Sequence, residues 1–181
     1  MKNFFSKIFT KRVLITYCIE LAVAGLLVLA DLLTKIYIWG GIESSGDDIS
    51  LIEGVISFVA VKNTGAAFGI LENSTRALGF VSLVASIVLG LALPVVASNK
   101  PKQLLNVSLV LILAGAVGNL YDRLALEYVR DFIYFELIDF AVFNVADSCL
   151  VVGTIFLLIY VIFFYRPVEK PKNTSSGVEN D

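Results

Sequence analysis

The stretch LLNVSLVLILAGAVGNLYDRL, Leu104 to Leu124, is an apolar run that closes on Asn119, Asp122 and Arg123. Up to Leu120 it has the length and polarity of a membrane span, and then it turns ionic within one helical turn. The same join occurs in mirror order at FNVAD, Phe143 to Asp147, which opens the last apolar run of the chain. An ionisable group at the edge of a bilayer is costly, so its default reading is functional.

Composition agrees with a membrane setting. The chain has 181 residues, 57% hydrophobic and 17% charged, with a mean hydropathy of +0.84. Soluble domains sit near half apolar and a quarter charged. The length suits one domain with a few spans. A net charge of −2 gives no reason to expect a nucleic-acid partner. There is no histidine, which excludes Ser-His and Cys-His nucleophile pairs and any His-bearing metal site. Cys18 and Cys149 both lie within apolar runs and read as small core residues.

Four segments are long enough to cross: Val13 to Leu33, Ala77 to Ala97, Leu104 to Leu120 and Ser148 to Tyr165. The first resembles a signal peptide, with Lys2, Lys7, Lys11 and Arg12 ahead of it, but its apolar run is too long for a cleaved one. Nine of the 14 basic residues, Lys2, Lys7, Lys11, Arg12, Lys100, Lys102, Arg166, Lys170 and Lys172, fall on one side of these spans. Lys35, Lys62, Arg76, Arg123 and Arg130 fall on the other. The positive-inside rule then places both termini in the cytoplasm. The expectation is an all-α membrane protein of four transmembrane helices with a small outer-face β-rich segment. Residues 1–166 would form a single polytopic domain, and 167–181 a polar, disordered tail. Of the two outer segments, Ile36 to Arg76 carries ISLIEGVISFVAV, whose β-branched residues predict a small sheet. Tyr121 to Asp147 carries FIYFELIDFAVF, whose aromatic density suits the membrane interface.

Helix geometry brings several charges to one depth. Arg12 to Asp31, Lys102 to Asp122 and Arg166 back to Asp147 each span roughly 28–30 Å as helix, about the thickness of the hydrocarbon core. Three carboxylates on three helices thus meet the outer boundary, with Asp131 on the segment joining the last two. Asp31 and Lys35 share a helix face at i, i+4 and are expected to pair in a structural or orienting role. Glu20 reads as an inner-face group or a partner for Lys11 or Arg12. Without histidine, acid–base chemistry near neutrality falls to carboxylates. Two close Asp side chains cannot comfortably both ionise, so one keeps a proton. The ionised member can take a proton from water attacking an amide carbonyl while the other polarises the carbonyl oxygen. Candidates are Asp131, Asp139 and Asp147, with Asp122 behind them. Asp131-Phe132 and Asp139-Phe140 repeat one dipeptide, so residue chemistry alone does not separate them. Asp147 opens a helix, where the amide N–H groups favour a carboxylate; the plainer reading is N-capping.

Together the blocks KNTGAAFGI (Lys62 to Ile70), GAVGNLYDRL (Gly115 to Leu124), YVRDFI (Tyr128 to Ile133) and FNVADS (Phe143 to Ser148) resemble the signature of signal peptidase II, the bacterial lipoprotein signal peptidase family. The order of the blocks, the four spans and the Asp31/Lys35 pair are similar as well. The resemblance implies an aspartic endopeptidase of the bacterial cytoplasmic membrane, with its active site near the outer face. Its substrates would be prolipoproteins, cut just before a diacylglyceryl cysteine. It implies Asp131 and Asp147 as the catalytic pair, so Asp131 is preferred to Asp139 by analogy. Asn63 and Arg123 match positions that hold the substrate backbone. Gly65, Asn119, Asp122, Asn144 and Ala146 match supporting positions, with Asp31 and Lys35 beside them. The GAAF stretch also reads as a close-packed turn. No cofactor and no metal are expected, the partners being substrate and membrane lipid, and the protein is expected to act as a monomer. Two features depart from the family pattern. Arg130 stands where an apolar residue is usual, and is expected either to lower the pKa of Asp131 or to point to lipid phosphates. The separation of 16 positions from Asp131 to Asp147 is slightly short, implying a trimmed loop. A transporter or channel with a carboxylate proton relay is the competing reading, but it would spread charges through the membrane depth and repeat its helices. The presenilin type of protease lacks its GxGD element here, and no G-x-S-x-G element supports a serine route.

Overall fold

A computed structural model describes residues 8, 10–65, 74–98 and 102–165. Four of its helices are long and apolar enough to cross a membrane. The first, α1 (Lys11–Thr34), starts at Thr10, whose Oγ1 accepts the Val13 N–H. It runs without a break into a five-residue π-helical stretch, Lys35–Trp39, and the short α2 (Gly40–Ser45). Gly46 ends it in the left-handed conformation at φ 77°, which glycine adopts without steric cost. Next come β1 (Ile49–Ile52), β2 (Ile56–Asn63), α3 (Thr75–Ala97), α4 (Gln103–Ala125), β3 (Val129–Tyr134), a turn of 3₁₀ helix (Glu136–Ile138) and α5 (Val145–Ile159). A second π-helical stretch, Tyr160–Phe164, prolongs α5. The polar tail expected at 167–181 lies outside the described residues.

Two boundaries differ from the sequence reading. Helix α4 continues through Tyr121–Ala125, so NLYDR is helical and not part of a connecting segment. Nothing in that pentapeptide breaks a helix, and the chain turns only at Glu127, with φ 64°. Likewise Ile36 to Ser45 is helical, and the extended segment begins at Ile49.

The three strands form one antiparallel sheet in the order β1-β2-β3. The expected small sheet is present, and its third strand comes from the aromatic segment assigned to the interface. Val129–Tyr134 pairs with β2 through Val61↔Asp131, Lys62↔Arg130 and Asn63↔Val129. Alternation then puts Asp131 and Asn63 on one face and Arg130 and Lys62 on the other. The chain folds back after Asp139: Phe132 and Ile133 both donate N–H to the Phe143 carbonyl, and Phe143 returns one to Ile133. This short link sets Asn144, and with it the start of α5, beside Asp131.

Helix α4 is the central element, packed by α1, α3 and α5. Its core side contributes Leu109, Val110, Leu113 and Ala114 against Ala24 and Leu93. Bilayer helices associate by close packing of small residues, since lipid offers no hydrophobic driving force. Two glycines of α4 show why. A Cβ at Gly115 would stand 2.4 Å from the Ala146 carbonyl oxygen, and one at Gly118 would stand 2.8 Å from Asp31 Oδ2. Away from these seams the helices present Phe80, Leu91, Ile162 and Phe163 outward, as lipid-facing surfaces do.

Of the two expectations for Glu20, the pairing with Lys11 or Arg12 is not observed among the described residues. Glu20 is buried and accepts a 2.7 Å hydrogen bond from Asn106 Nδ2. Residue 20 faces α4, about two turns along the helix from Arg12. Cys18 and Cys149 are free thiols.

Candidate functional site

The ends of α1, α4 and α5 meet at one end of the bundle, under the sheet. Lys35 is the hub. Its side chain is wholly buried, and Nζ lies 2.7 Å from Asp31 Oδ2, 3.3 Å from Asp122 Oδ2 and 3.2 Å from Asn119 Oδ1. An ammonium has three donors, and these three acceptors use them all. The i, i+4 pair expected from sequence is therefore part of a larger cluster, seated where the helix widens into its π-helical stretch, a geometry frequent at functional sites. Asp31 Oδ1 accepts the Ala146 N–H at 2.9 Å, which anchors the first turn of α5 to α1.

Asn144 is the N-cap of α5. Its Oδ1 accepts the Asp147 N–H at 2.9 Å, and Asp147 Oδ2 accepts the Asn144 N–H at 3.1 Å, a reciprocal capping box. Asp147 thus sits in the first turn instead of at the cap itself. The Asn144 amide Nδ2 donates to Asp131 Oδ1 at 2.7 Å and to Asn119 Oδ1 at 3.0 Å. Asn119 Nδ2 in turn donates to Asp147 Oδ1 at 2.7 Å. Asn63 Nδ2 donates to Asp131 Oδ2 at 2.8 Å, and its own Oδ1 is fixed by the Gly65 N–H at 2.9 Å. Each of the four oxygens of Asp131 and Asp147 therefore receives one neutral donor and keeps acceptor capacity for a further one.

Asp131 is nearly inaccessible. Burial, followed by the charge of Asp147, pushes its carboxyl from 3.8 up to about 7. The amides of Asn63 and Asn144 and the charge of Lys35 act in the opposite sense.

Asp131 and Asp147 border a cavity of about 830 Å³. Asn63, Asn119 and Arg123 share its polar side, while Leu78, Val81, Leu150 and Val151 belong to an apolar wall between α3 and α5. The Arg123 guanidinium lies in this cavity. One amino group is 3.4 Å from Ser82 Oγ, and Nε has no partner among the described residues. A buried donor without a partner is costly, so this guanidinium is incompletely satisfied.

Asp139 is not part of this site. It is exposed, adopts φ 47°, and accepts a 2.7 Å hydrogen bond from the Tyr134 hydroxyl. The geometry brings Asp131, and not Asp139, to Asp147. Arg130 goes neither to Asp131 nor outward to lipid. Strand alternation turns it to the opposite face from Asp131, where its fork closes on Asp122 at 2.7 and 3.3 Å.

Two contributors escaped the sequence reading. Ser82 lines the cavity and meets Arg123, and Thr75 Oγ1 donates to the Thr64 carbonyl at 2.7 Å, tying α3 to the strand end beside Asn63. A hydroxyl in an otherwise apolar span was the only available sign of Ser82. Residues 66–70 of the GAAF block lie outside the described residues. Among the described residues, no three Asp, Glu or Cys side chains are grouped to hold a metal ion.

Fold and site together define a polytopic membrane protein with two carboxylates at the rim of a half-apolar cleft. Residues 23–163 match the family model described as signal peptidase (SPase) II. A lipoprotein signal peptidase of Clostridium tetani is 38% identical over 79% of this chain and 92% of its own length. One from Streptococcus pyogenes serotype M1 is 42% identical over 74% of this chain and 86% of its own. A solved bacterial membrane enzyme, determined by the in meso method at 2.3 Å resolution, superposes with a TM-score of 0.67 at 28% identity, covering 83% of this chain and 94% of that one. The chain belongs to the signal peptidase II family, and is a multi-pass membrane peptidase.

Proposed function

We propose that the chain is an aspartic endopeptidase that removes signal peptides from bacterial prolipoproteins, cutting just before the diacylglyceryl cysteine. The observation that carries this reading is the placement of Asp131 and Asp147, joined through Asn144, at the border of the cavity. The names of the curated relatives and the family match support the substrate class.

The ionised carboxylate of the pair takes a proton from water as the water oxygen bonds to the scissile carbonyl carbon. The protonated partner gives its hydrogen to the carbonyl oxygen, so the tetrahedral intermediate forms uncharged. Collapse breaks the C–N bond. The carboxyl that gained the water proton passes it to the departing amine, and the other recovers a proton from the intermediate. With its carboxyl held near 7, Asp131 is a fitting proton holder at neutral pH. Arg123 and Asn63, both on the cavity lining, hold the substrate backbone, and Asn119, Asn144, Gly65 and Ala146 fix the frame around them. The apolar wall of the cavity receives the lipidated end of the substrate, by virtue of its chemistry.

The protein acts as a monomer in the cytoplasmic membrane, with both termini in the cytoplasm and the cleft near the outer face. Residues 1–166 are one domain, and no metal or cofactor takes part. Lys11 opens α1 and Lys102 is the N-cap of α4, both at the end of the bundle opposite the cleft, which supports this orientation. A proton-relay transporter is not favoured, because the carboxylates of the site gather at one end of the bundle. The test is a cleavage assay on the purified protein in mixed micelles, with one prolipoprotein bearing or lacking diacylglyceryl on its cysteine. Cleavage before the lipidated cysteine alone is the expected result; equal cleavage of both would overturn the substrate assignment.

A further inference from the structure

Beneath the two cavity carboxylates lies a second, largely buried ionic layer made of Asp31, Lys35, Asp122 and Arg130. Asp122 is wholly inaccessible, and every donor of one face of Arg130 is turned onto it. The Arg130 backbone N–H reaches Asp122 Oδ2 at 3.0 Å, Nε the same oxygen at 3.3 Å, and the terminal amino group Oδ1 at 2.7 Å. Lys35 Nζ stands closer to Asp31 than to Asp122, 2.7 Å against 3.3 Å, and still reaches Asn119. The charged groups facing Arg130 are Asp122 from α4, Lys35 from the π-helical stretch, with Asp31 behind it, and Lys62 from β2. Lys62 is drawn away to Glu43, at 2.6 Å, and to the rings of Trp39 and Tyr128. Asp131 faces Asp147 and Lys35, with Arg123 on the same cavity.

We propose that Arg130 is a positioning residue for the carboxylate pair: it holds Asp122 so that Lys35 stays on Asp31 and Asn119, and it brings the buried layer to zero net charge. This rests on the reading of Asp131 and Asp147 as the reacting pair. The connection runs from Arg130 through Asp122 and Lys35 to Asn119, whose amide holds Asp147 Oδ1. A second connection is direct, since the backbone N–H on Asp122 fixes the residue adjoining Asp131. Without the guanidinium, one ammonium must serve two buried carboxylates, which draws it from Asn119 and leaves one excess negative charge under the pair. A negative charge placed there favours the protonated form of Asp131. Lysine at position 130 supplies the charge but not the planar fork.

The test is the pH dependence of kcat/KM on a diacylglyceryl prolipopeptide in mixed micelles, for the wild type, R130M, R130K and the double variant R130M/D122N. The alkaline limb of R130M is expected to move up by about half a unit to one unit, the size of one added charge in a partly buried site. R130K should keep the wild-type limb while losing kcat at unchanged KM. The double variant, again neutral in this layer, should return the limb toward its wild-type position. A role confined to stability would lower the folded yield of R130M and leave its limb in place. An unmoved limb in R130M, or a shifted one in R130K, overturns the proposal; R130K keeps the test open where R130M does not fold. Asp131→Asn and Asp147→Asn are run alongside. If both stay active, the dyad reading fails; if both are dead and the R130M limb is unmoved, only this inference fails.

Discussion

Asn144 and Asp131 are joined at 2.7 Å, amide nitrogen to carboxylate oxygen, while the backbone N–H of the same asparagine holds Asp147 at 3.1 Å. One residue therefore spaces both carboxylates, and it is also the N-cap of the helix that carries the second. Local helix chemistry and site geometry are here the same set of bonds.

Replacing Asn144 by Ala removes the cap and both amide bonds. A loss of about 1 kcal/mol is expected from the cap, and an activity loss far beyond what that destabilisation explains. Comparing thermal unfolding in micelles with kcat separates the two effects. Full kcat at matched folded fraction would contradict the spacing role.

Asp131 gives stability a definite pH dependence. Its carboxyl is raised from 3.8 to about 7, so the folded state binds the proton more tightly than the unfolded chain. Stability from this group is complete below pH 4 and is lost as pH rises toward 7. Asp131→Asn cannot ionise, and is therefore expected to unfold at a higher temperature than the wild type at pH 8, with the difference vanishing near pH 4. An equal difference at both values would contradict the buried, raised carboxyl.

Asn63→Ala takes away a donor that favours the ionised form of Asp131. The alkaline limb of activity is expected to shift upward, alongside weaker substrate binding. A downward shift in the same kinetic profile would place the amide differently.

Lys35→Met leaves Asp31 and Asp122 without their shared ammonium. Breaking a buried pair costs about 3–5 kcal/mol, so a large fall in unfolding temperature is expected. Gly118→Ala is expected to act on the same region, because its methyl would stand 2.8 Å from Asp31 Oδ2. Unchanged melting of either variant would contradict the tight packing of α1 on α4.

Asp139→Asn is expected to leave turnover within about twofold of wild type, since removing an exposed partner of Tyr134 costs little. Inactivation with the fold intact would reopen the choice between the two Asp-Phe dipeptides.

Much of this was legible in the chain. The four spans follow from apolar length, and the common depth of Asp31, Asp122 and Asp147 follows from the helical rise alone; Lys35 and Asn119 now supply the contacts that join them. What was hidden depends on long-range pairing. Val129–Tyr134 is aromatic and β-branched, which reads equally as interface or strand until β2 is placed beside it. The direction of Arg130 follows from strand alternation, and so could not be read while that segment had no assigned strand. Glu20 meets Asn106 across a helix seam, a contact between residues 86 apart that no local pattern encodes.

The central claim is that Asp131 and Asp147 jointly activate one water. The most direct measurement is single-turnover cleavage of a diacylglyceryl prolipoprotein by purified Asp131→Asn and Asp147→Asn, each shown to keep its helical circular dichroism. The account predicts that each loses about a hundred- to ten-thousand-fold in rate, the usual contribution of a positioned acid or base. Wild-type rates in either folded variant would contradict it.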